Sequence, residues 1–206
     1  MIENTKTIDK IKILGVGSSM RKNSHSTSLL SMLLDIASKK YDAKTRLLDL
    51  REIPLPLYNP SNNTPEYNNN LKIITEAVEW ADSFVLASPD YHGSMSGVMK
   101  NFLDHYWGEF AGKTFGYICS SHEKGLTVMD QMRTAVRQCY GWSLPYGVSV
   151  NGEQDFDSKG EINNLRLTQR INMMARDLAV YGALIRAQFI QDLNDDIEYT
   201  FAARYK

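Results

Sequence analysis

Residues Ile13–Leu30 read ILGVGSSMRKNSHSTSLL. A short apolar run stops at Gly17. Seven of the residues that follow, Ser18, Ser19, Arg21, Asn23, Ser24, Ser26 and Thr27, can donate a hydrogen bond from the side chain, and no acid interrupts them. Ile11 to Gly17 is short, partly β-branched and bounded by glycine, which predicts a buried first strand. From Ser24 the period changes. Leu30, Leu33, Leu34 and Ala37 recur at helical spacing, with Ser24 or Ser26 as N-cap and Lys39 and Lys40 matching the C-terminal dipole. A strand opening through such a loop into a helix brings backbone N–H groups, hydroxyls and the helix dipole to one point, which suits a phosphate dianion.

The same alternation continues outward. Lys44 to Leu50 predicts a second strand, which REIPLPLYNP leaves through three prolines that cannot extend a ladder. The Asn/Pro-rich Tyr58 to Asn70 reads as a surface loop, and Leu71 to Ala81 as a helix. Asp82 to Ser88 is a third strand, followed by the loop Pro89 to Gly97 and a helix over Val98 to Trp107. Thr114 to Ser120 is the fourth strand, Ser121 to Gly125 a polar loop and Leu126 to Cys139 a helix. Leu144 to Val150 supplies the fifth strand, Asn151 to Gly160 a charged turn and Ile162 to Ile185 a long final helix. The tail from Gln188 to Lys206 fits a short terminal helix or a partner contact. Strands alternating with helices imply an α/β three-layer sandwich, a five-stranded parallel sheet with helices on both faces. Ligands bind such sheets beyond the carboxyl ends of the strands, so the loops after strands one, three and four should become neighbours.

At 206 residues the whole chain, 1–206, fits one domain. A net charge of -1 gives no electrostatic case for nucleic acid or an anionic membrane. Cys119 and Cys139 are too few for a disulfide framework, and a reducing cytoplasm is the simplest expectation. The N-terminal MIENTKTIDK lacks the apolar core of a secretory signal, and no run approaches the length of a membrane span. His25, His92, His105 and His122 show no ligand spacing, so no metal site is expected.

The first loop is not a Walker A sequence, since no Gly-Lys-Ser/Thr follows the strand, and Gly15-Val-Gly17 lacks the third glycine of a dinucleotide fingerprint. Arg21 within it favours phosphate, because a guanidinium there otherwise needs another partner. In the third-strand loop, Tyr91 and His92 beside Gly93 offer a flat edge and close backbone approach, as a planar heteroaromatic ligand requires. Ser120, Ser121, His122 and Gly125 add small polar groups. No GxSxG elbow supports serine hydrolysis.

Together these loops resemble the NADPH-dependent FMN reductase family of flavodoxin-like proteins, which includes quinone, azo-dye and chromate reductases. Its first loop, Gly-Ser-x-Arg-x-x-Ser with a further Ser, Thr or Asn two residues on, matches Ser18-Ser19-Met20-Arg21-Lys22-Asn23-Ser24-His25-Ser26, with Ser18 where glycine is usual. The second signature, Ser-Pro-Glu-Tyr-Asn-Gly-Ser-x-x-Gly-x-x-Lys-Asn-x-x-Asp, appears from Ser88 to Asp104, with His92 where asparagine is usual. Leu55 to Tyr58 is similar to the family's second-strand loop. The resemblance implies that Ser19, Arg21, Ser24 and Ser26 hold the FMN phosphate. It likewise implies that Pro89, Asp90, Tyr91, His92 and Gly93 contact the isoalloxazine, and that Ser120, Ser121 and Gly125 flank its other edge.

It further implies an enzyme with FMN as cofactor and NADPH or NADH as electron donor. Hydride would pass to a small-molecule acceptor such as a quinone, an azo compound, free flavin or a metal oxyanion, and no residue would act as a catalytic acid or base. A homodimer or homotetramer is implied as well. The competing readings are a flavodoxin-type one-electron carrier and a flavin-fold module that binds partners without catalysis. Near-neutral charge, with His122 and Lys124 expected beside the pyrimidine end of the ring, favours hydride chemistry over the carrier.

Overall fold

The computed structural model describes residues 10–61, 68–195 and 198–205. Most of the N-terminal stretch and residues 62–67 of the Asn/Pro-rich loop lie outside them. The elements run β1 (Lys12–Gly17), α1 (His25–Tyr41), β2 (Lys44–Asp49), α2 (Asn69–Trp80), β3 (Ser83–Pro89), α3 (Gly97–Asp104) and a 3-10 turn (Gly108–Phe110). Then come β4 (Thr114–Ser120), α4 (Leu126–Gln138), β5 (Trp142–Ser143), β6 (Val148–Val150), α5 (Gly152–Asp155), α6 (Leu165–Asn194) and a last 3-10 turn (Ala202–Tyr205). No helix among the described residues is long and apolar enough to cross a membrane.

β3 shows why the layers form. All its residues are buried, and the period of two sends alternate side chains to opposite faces. Phe84 and Leu86 join Leu14, Val16, Phe115 and Tyr117 in the core facing α2, α3 and α4. Val85 and Ala87 join Ile13, Ile118, Leu30 and Leu178 in the core facing α1 and α6. Sheet pairing is parallel throughout, in the order β2-β1-β3-β4, with β5 and β6 both on the far side of β4. This is the flavodoxin-like order, whose winding reverses between β1 and β3 and opens a crevice there.

The fifth strand is interrupted. Trp142 pairs with Thr114 and Val148 with Ile118, so this strand takes six steps where β4 takes four. Pro145, which has no N–H, and Gly147 lie in the gap, so the expected continuous strand over Leu144 to Val150 is replaced by two short pieces. α6 starts on an Asn164 cap that accepts from Arg166 and Leu167 N–H. It runs nine residues past the expected end at Ile185. Beyond that point Phe189 and Leu193 pack on Ala111, Ala202 and Tyr205, a third cluster that rewards continuing the helix. Within the tail, Ala202–Tyr205 forms a short 3-10 turn packed back on this chain.

Opposite the crevice, Lys113 precedes β4 and is buried to 4% exposure. Its ammonium donates to the carbonyls of Val78 (2.8 Å) and Glu79 (3.4 Å), capping α2, whose last turn has no base of its own. Burial, reinforced by the nearby Arg186, lowers its pKa to about 8.

Candidate functional site

Ser24 caps α1, its hydroxyl accepting from Thr27 N–H (3.4 Å) and pairing with Ser26 Oγ (2.9 Å). The amides of His25 and Ser26 cannot be paired within a helix start and have no acceptor among the described residues. No acid lies in the first turn. Ser19 is buried and its Oγ accepts from Arg21 N–H (3.3 Å), which sets the chain direction at Arg21. The Arg21 side chain is exposed and has no ion pair among the described residues. Thr27 Oγ1 is buried without a hydrogen-bond partner among the described residues.

Ser18 explains its own departure from glycine. It is fully buried; its Oγ donates to Ala87 O (3.1 Å) and accepts from Ser96 Oγ (2.9 Å). Ser96 caps α3 by accepting from Met99 N–H (3.1 Å), and its own N–H donates to Ser88 Oγ (2.9 Å). Three buried hydroxyls therefore tie the loop after β1 to both ends of the loop after β3. Ser96→Ala removes the cap and the link together, and should destabilise the protein by about 1 kcal/mol, read from its urea midpoint against wild type.

The loop after β3 closes on a tight turn. Tyr91 and Ser94 exchange backbone hydrogen bonds (2.9 and 3.1 Å), and His92 (φ 57) and Gly93 (φ 75) between them are both left-handed. Positive φ at both central residues is what type I′ hairpin turns require, and Asn-Gly is their preferred pair. His92 thus occupies a position chosen for backbone conformation, and asparagine is the commoner solution to it. Asp90 braces the turn: Oδ1 accepts from Gly93 N–H (2.8 Å) and Oδ2 from Ser121 Oγ (2.9 Å), which joins this loop to the one after β4.

The three loops surround one cavity of about 500 Å³. Ser19, Arg21 and Ser24 border it on the α1 side, and Pro89, Asp90, Tyr91, Ser120 and Ser121 on the other. Among the expected residues, Ser26 stands behind Ser24, fully buried. His92 is exposed at the tip of its turn and is not on the wall of this cavity, while Gly93 and Gly125 border an adjoining cavity with Lys124. The main cavity receives His122 and Glu123 instead of Lys124. Glu123 N–H donates to Ser121 Oγ (3.2 Å), and the left-handed Gly125 (φ 58) turns the chain away into α4. The charge expected from Lys124 is therefore displaced, and a carboxylate borders the site.

His25, Asn151, Gly152 and Glu153 also line the cavity, although nothing in the sequence singles them out as site residues. Asn151 was legible only as the start of a charged turn. It caps α5, and its side chain donates to His122 O (3.0 Å), bringing the segment after β6 to the loop after β4. Gly152 lies against His25 so closely that a Cβ there would be 2.1 Å from the imidazole. Cys119, beneath the loop, is fully buried, and burial together with Asp90 pushes its thiol up to about 12. It is no nucleophile.

A doubly wound sheet with a hydroxyl- and guanidinium-rich helix start at its switch point defines a nucleotide-cofactor protein of the flavodoxin-like class. Residues 11–155 match the family model described as NADPH-dependent FMN reductase, and the chain belongs to that family. It is an FMN-dependent NAD(P)H oxidoreductase. An FMN-dependent NADPH-azoreductase of Staphylococcus saprophyticus is 34% identical over 153 residues, 71% of this chain and 79% of that protein. One of Staphylococcus aureus is 34% identical over 145 residues, covering 67% and 75%. Among solved structures, an apo NADH:FMN oxidoreductase superposes with a TM-score of 0.69 at 18% identity, over 84% of this chain and 90% of that one.

Proposed function

We propose that the chain, acting as one domain, holds FMN in the cavity between the loops after β1, β3 and β4. There it reduces a small-molecule acceptor (a quinone, an azo compound or free flavin) with NADPH or NADH. The observation that carries this reading is the donor set at the α1 start, with paired hydroxyls, unpaired amides of His25 and Ser26, a free guanidinium and no acid in the first turn. That set fits a phosphate dianion, and about 500 Å³ is within the usual range for a cofactor site. Ser19, Arg21 and Ser24 would hold the phosphate, with Ser26 supporting Ser24 from behind. Pro89, Asp90, Tyr91, Ser120 and Ser121 would border the ring, and His92, Gly93 and Gly125 shape the turns that present it.

When bound, FMN would supply the two-electron chemistry that links the nicotinamide to the acceptor. The chain's own part is to bind and orient. Tyr91, 38% exposed, lines the cavity and would offer its ring to the flavin. The Asp90 carboxylate has both oxygens committed to Gly93 and Ser121, so it acts as a brace and not as a proton carrier. Two buried free thiols suit a reducing cytoplasm. A homodimer or homotetramer belongs to the same reading, supported by Leu57, 86% exposed on a loop that Asn101 clamps at Pro56 O and Tyr58 N–H (both 2.9 Å).

The test is the visible spectrum of the purified protein, then anaerobic NADPH or NADH, then a panel of acceptors. The expected result is a yellow protein that bleaches with the nucleotide and recovers colour with a quinone, azo dye or free flavin. FMN at a hundredfold excess over its Kd should also stabilise the protein by about 2.7 kcal/mol. A colourless protein that gains no thermal stability from FMN overturns the reading in favour of a partner-binding module.

A further inference from the structure

The turn at Tyr91–Ser94 carries a strain that its own residues do not relieve. An isolated two-stranded hairpin is marginal in water, and histidine, though commoner at positive φ than most residues, lacks the ease of glycine there. Something outside the turn must hold it. On one side that is Asp90. On the other it is a single side chain from α4: Gln131 Oε1 accepts from Ser94 Oγ (2.8 Å) and from Met95 N–H (3.2 Å), and its Nε2 donates to Gly93 O (3.3 Å). All three bonds span more than thirty residues of sequence and end on three consecutive residues, Gly93, Ser94 and Met95. The amide uses its acceptor twice and its donor once, a pattern no apolar or purely acidic side chain reproduces.

We infer that Gln131 is a positioning residue of the flavin site: through Gly93, Ser94 and Met95 it fixes the turn that presents the ring side of the cavity. Within that turn the N–H groups of Tyr91, Gly93 and Ser94 are all taken by protein acceptors, and that of His92 has none among the described residues. Clamping the turn therefore fixes the direction of one free backbone donor. The inference rests on the reading that these loops hold FMN, and it makes α4 part of the site although Gln131 does not border the main cavity.

The test compares wild type, Gln131→Ala and Gln131→Glu as full-length apoproteins titrated with FMN and with riboflavin. Gln131→Ala should weaken both ligands about tenfold, by the same factor, because the defect lies at the ring end and not at the phosphate. Gln131→Glu keeps the acceptor for Ser94 and Met95 but as a carboxylate cannot donate to Gly93 O. It should bind weakly at pH 7 and recover toward wild type by pH 5 as the introduced carboxyl gains a proton. Asp130 and Lys100, the charged groups sharing its cavity, and the Asp90 brace are present in wild type too, so the ratio to wild type isolates the introduced group. The inference is overturned if Gln131→Ala binds FMN and riboflavin as wild type does. It is overturned equally if the Gln131→Glu deficit is the same at both pH values. Failure of wild type itself to bind FMN would instead overturn the reading beneath it.

Discussion

Arg21→Ala should lower FMN affinity between about 10-fold and 150-fold while leaving riboflavin affinity unchanged. A charge-assisted hydrogen bond to phosphate contributes about 1.5–3 kcal/mol, and 1.4 kcal/mol is tenfold. Three observations make Arg21 the residue for which this magnitude applies. Its backbone is fixed by Ser19 Oγ at 3.3 Å, so the side chain leaves from a defined point. It borders the cavity beside Ser24, at the one helix start without an acid in its first turn that opens on this cavity. Among the described residues no carboxylate neutralises it, in contrast with Arg51, which pairs with Asp49 and Glu52. Because Arg21 is exposed, the loss should shrink as salt is raised. Fluorescence titration of the apoprotein at low and high salt, with riboflavin as the ligand that lacks phosphate, checks all three parts. An unchanged FMN affinity removes Arg21 from the site, and an equal loss for riboflavin moves its role to the ring.

Much of this arrangement is legible in the sequence, and the reason differs from element to element. β1, β3 and α1 are read from their periods because their burial is one-sided or complete. The loop donors are read from type because a run of hydroxyls with one guanidinium and no acid has few other uses. The fifth strand misled, since an apolar Leu144 to Val150 does not reveal that β4 accepts it only in two pieces around Pro145 and Gly147. α6 outran its periodicity because Phe189 and Leu193 find partners in Ala111, Ala202 and Tyr205, contacts distant in sequence.

Within the site the limit is the same. Ser18 and His92 looked like departures from a pattern. Ser18 turns out to be a buried link to Ser96, and His92 a left-handed turn residue. Neither role has a local signature. Gln131 had none either, since which face of α4 meets the turn after β3 is decided by packing alone.

Lys113 lies far from the cavity and makes a separate prediction about the fold. A lysine with its pKa lowered to about 8 from the ordinary 10.5 has released its proton in the folded protein over a pH range in which the unfolded chain still holds it. Stability therefore rises with pH through that window, by up to about 1.4 kcal/mol per unit. Between pH 7 and pH 9.5 the Lys113 contribution should amount to about 2 kcal/mol. Wild type alone will not display it. Burial raises the thiols of Cys119 and Cys139, so the unfolded chain loses those protons first and stability falls as pH rises from about 9. The buried phenols of Tyr106 and Tyr117, also raised by desolvation, add to that fall above about pH 10. The two trends oppose each other, and only a difference separates them. Lys113→Met keeps the aliphatic bulk beside Phe84 and removes the titrating group, while both thiols and the phenols remain. Urea unfolding of both proteins at pH 7 and pH 9.5 should show wild type gaining about 2 kcal/mol on the variant as pH rises. A gap that stays constant would mean that Lys113 keeps its charge in the fold. Its hold on Val78 O and Glu79 O would then be that of a charged helix cap throughout the range.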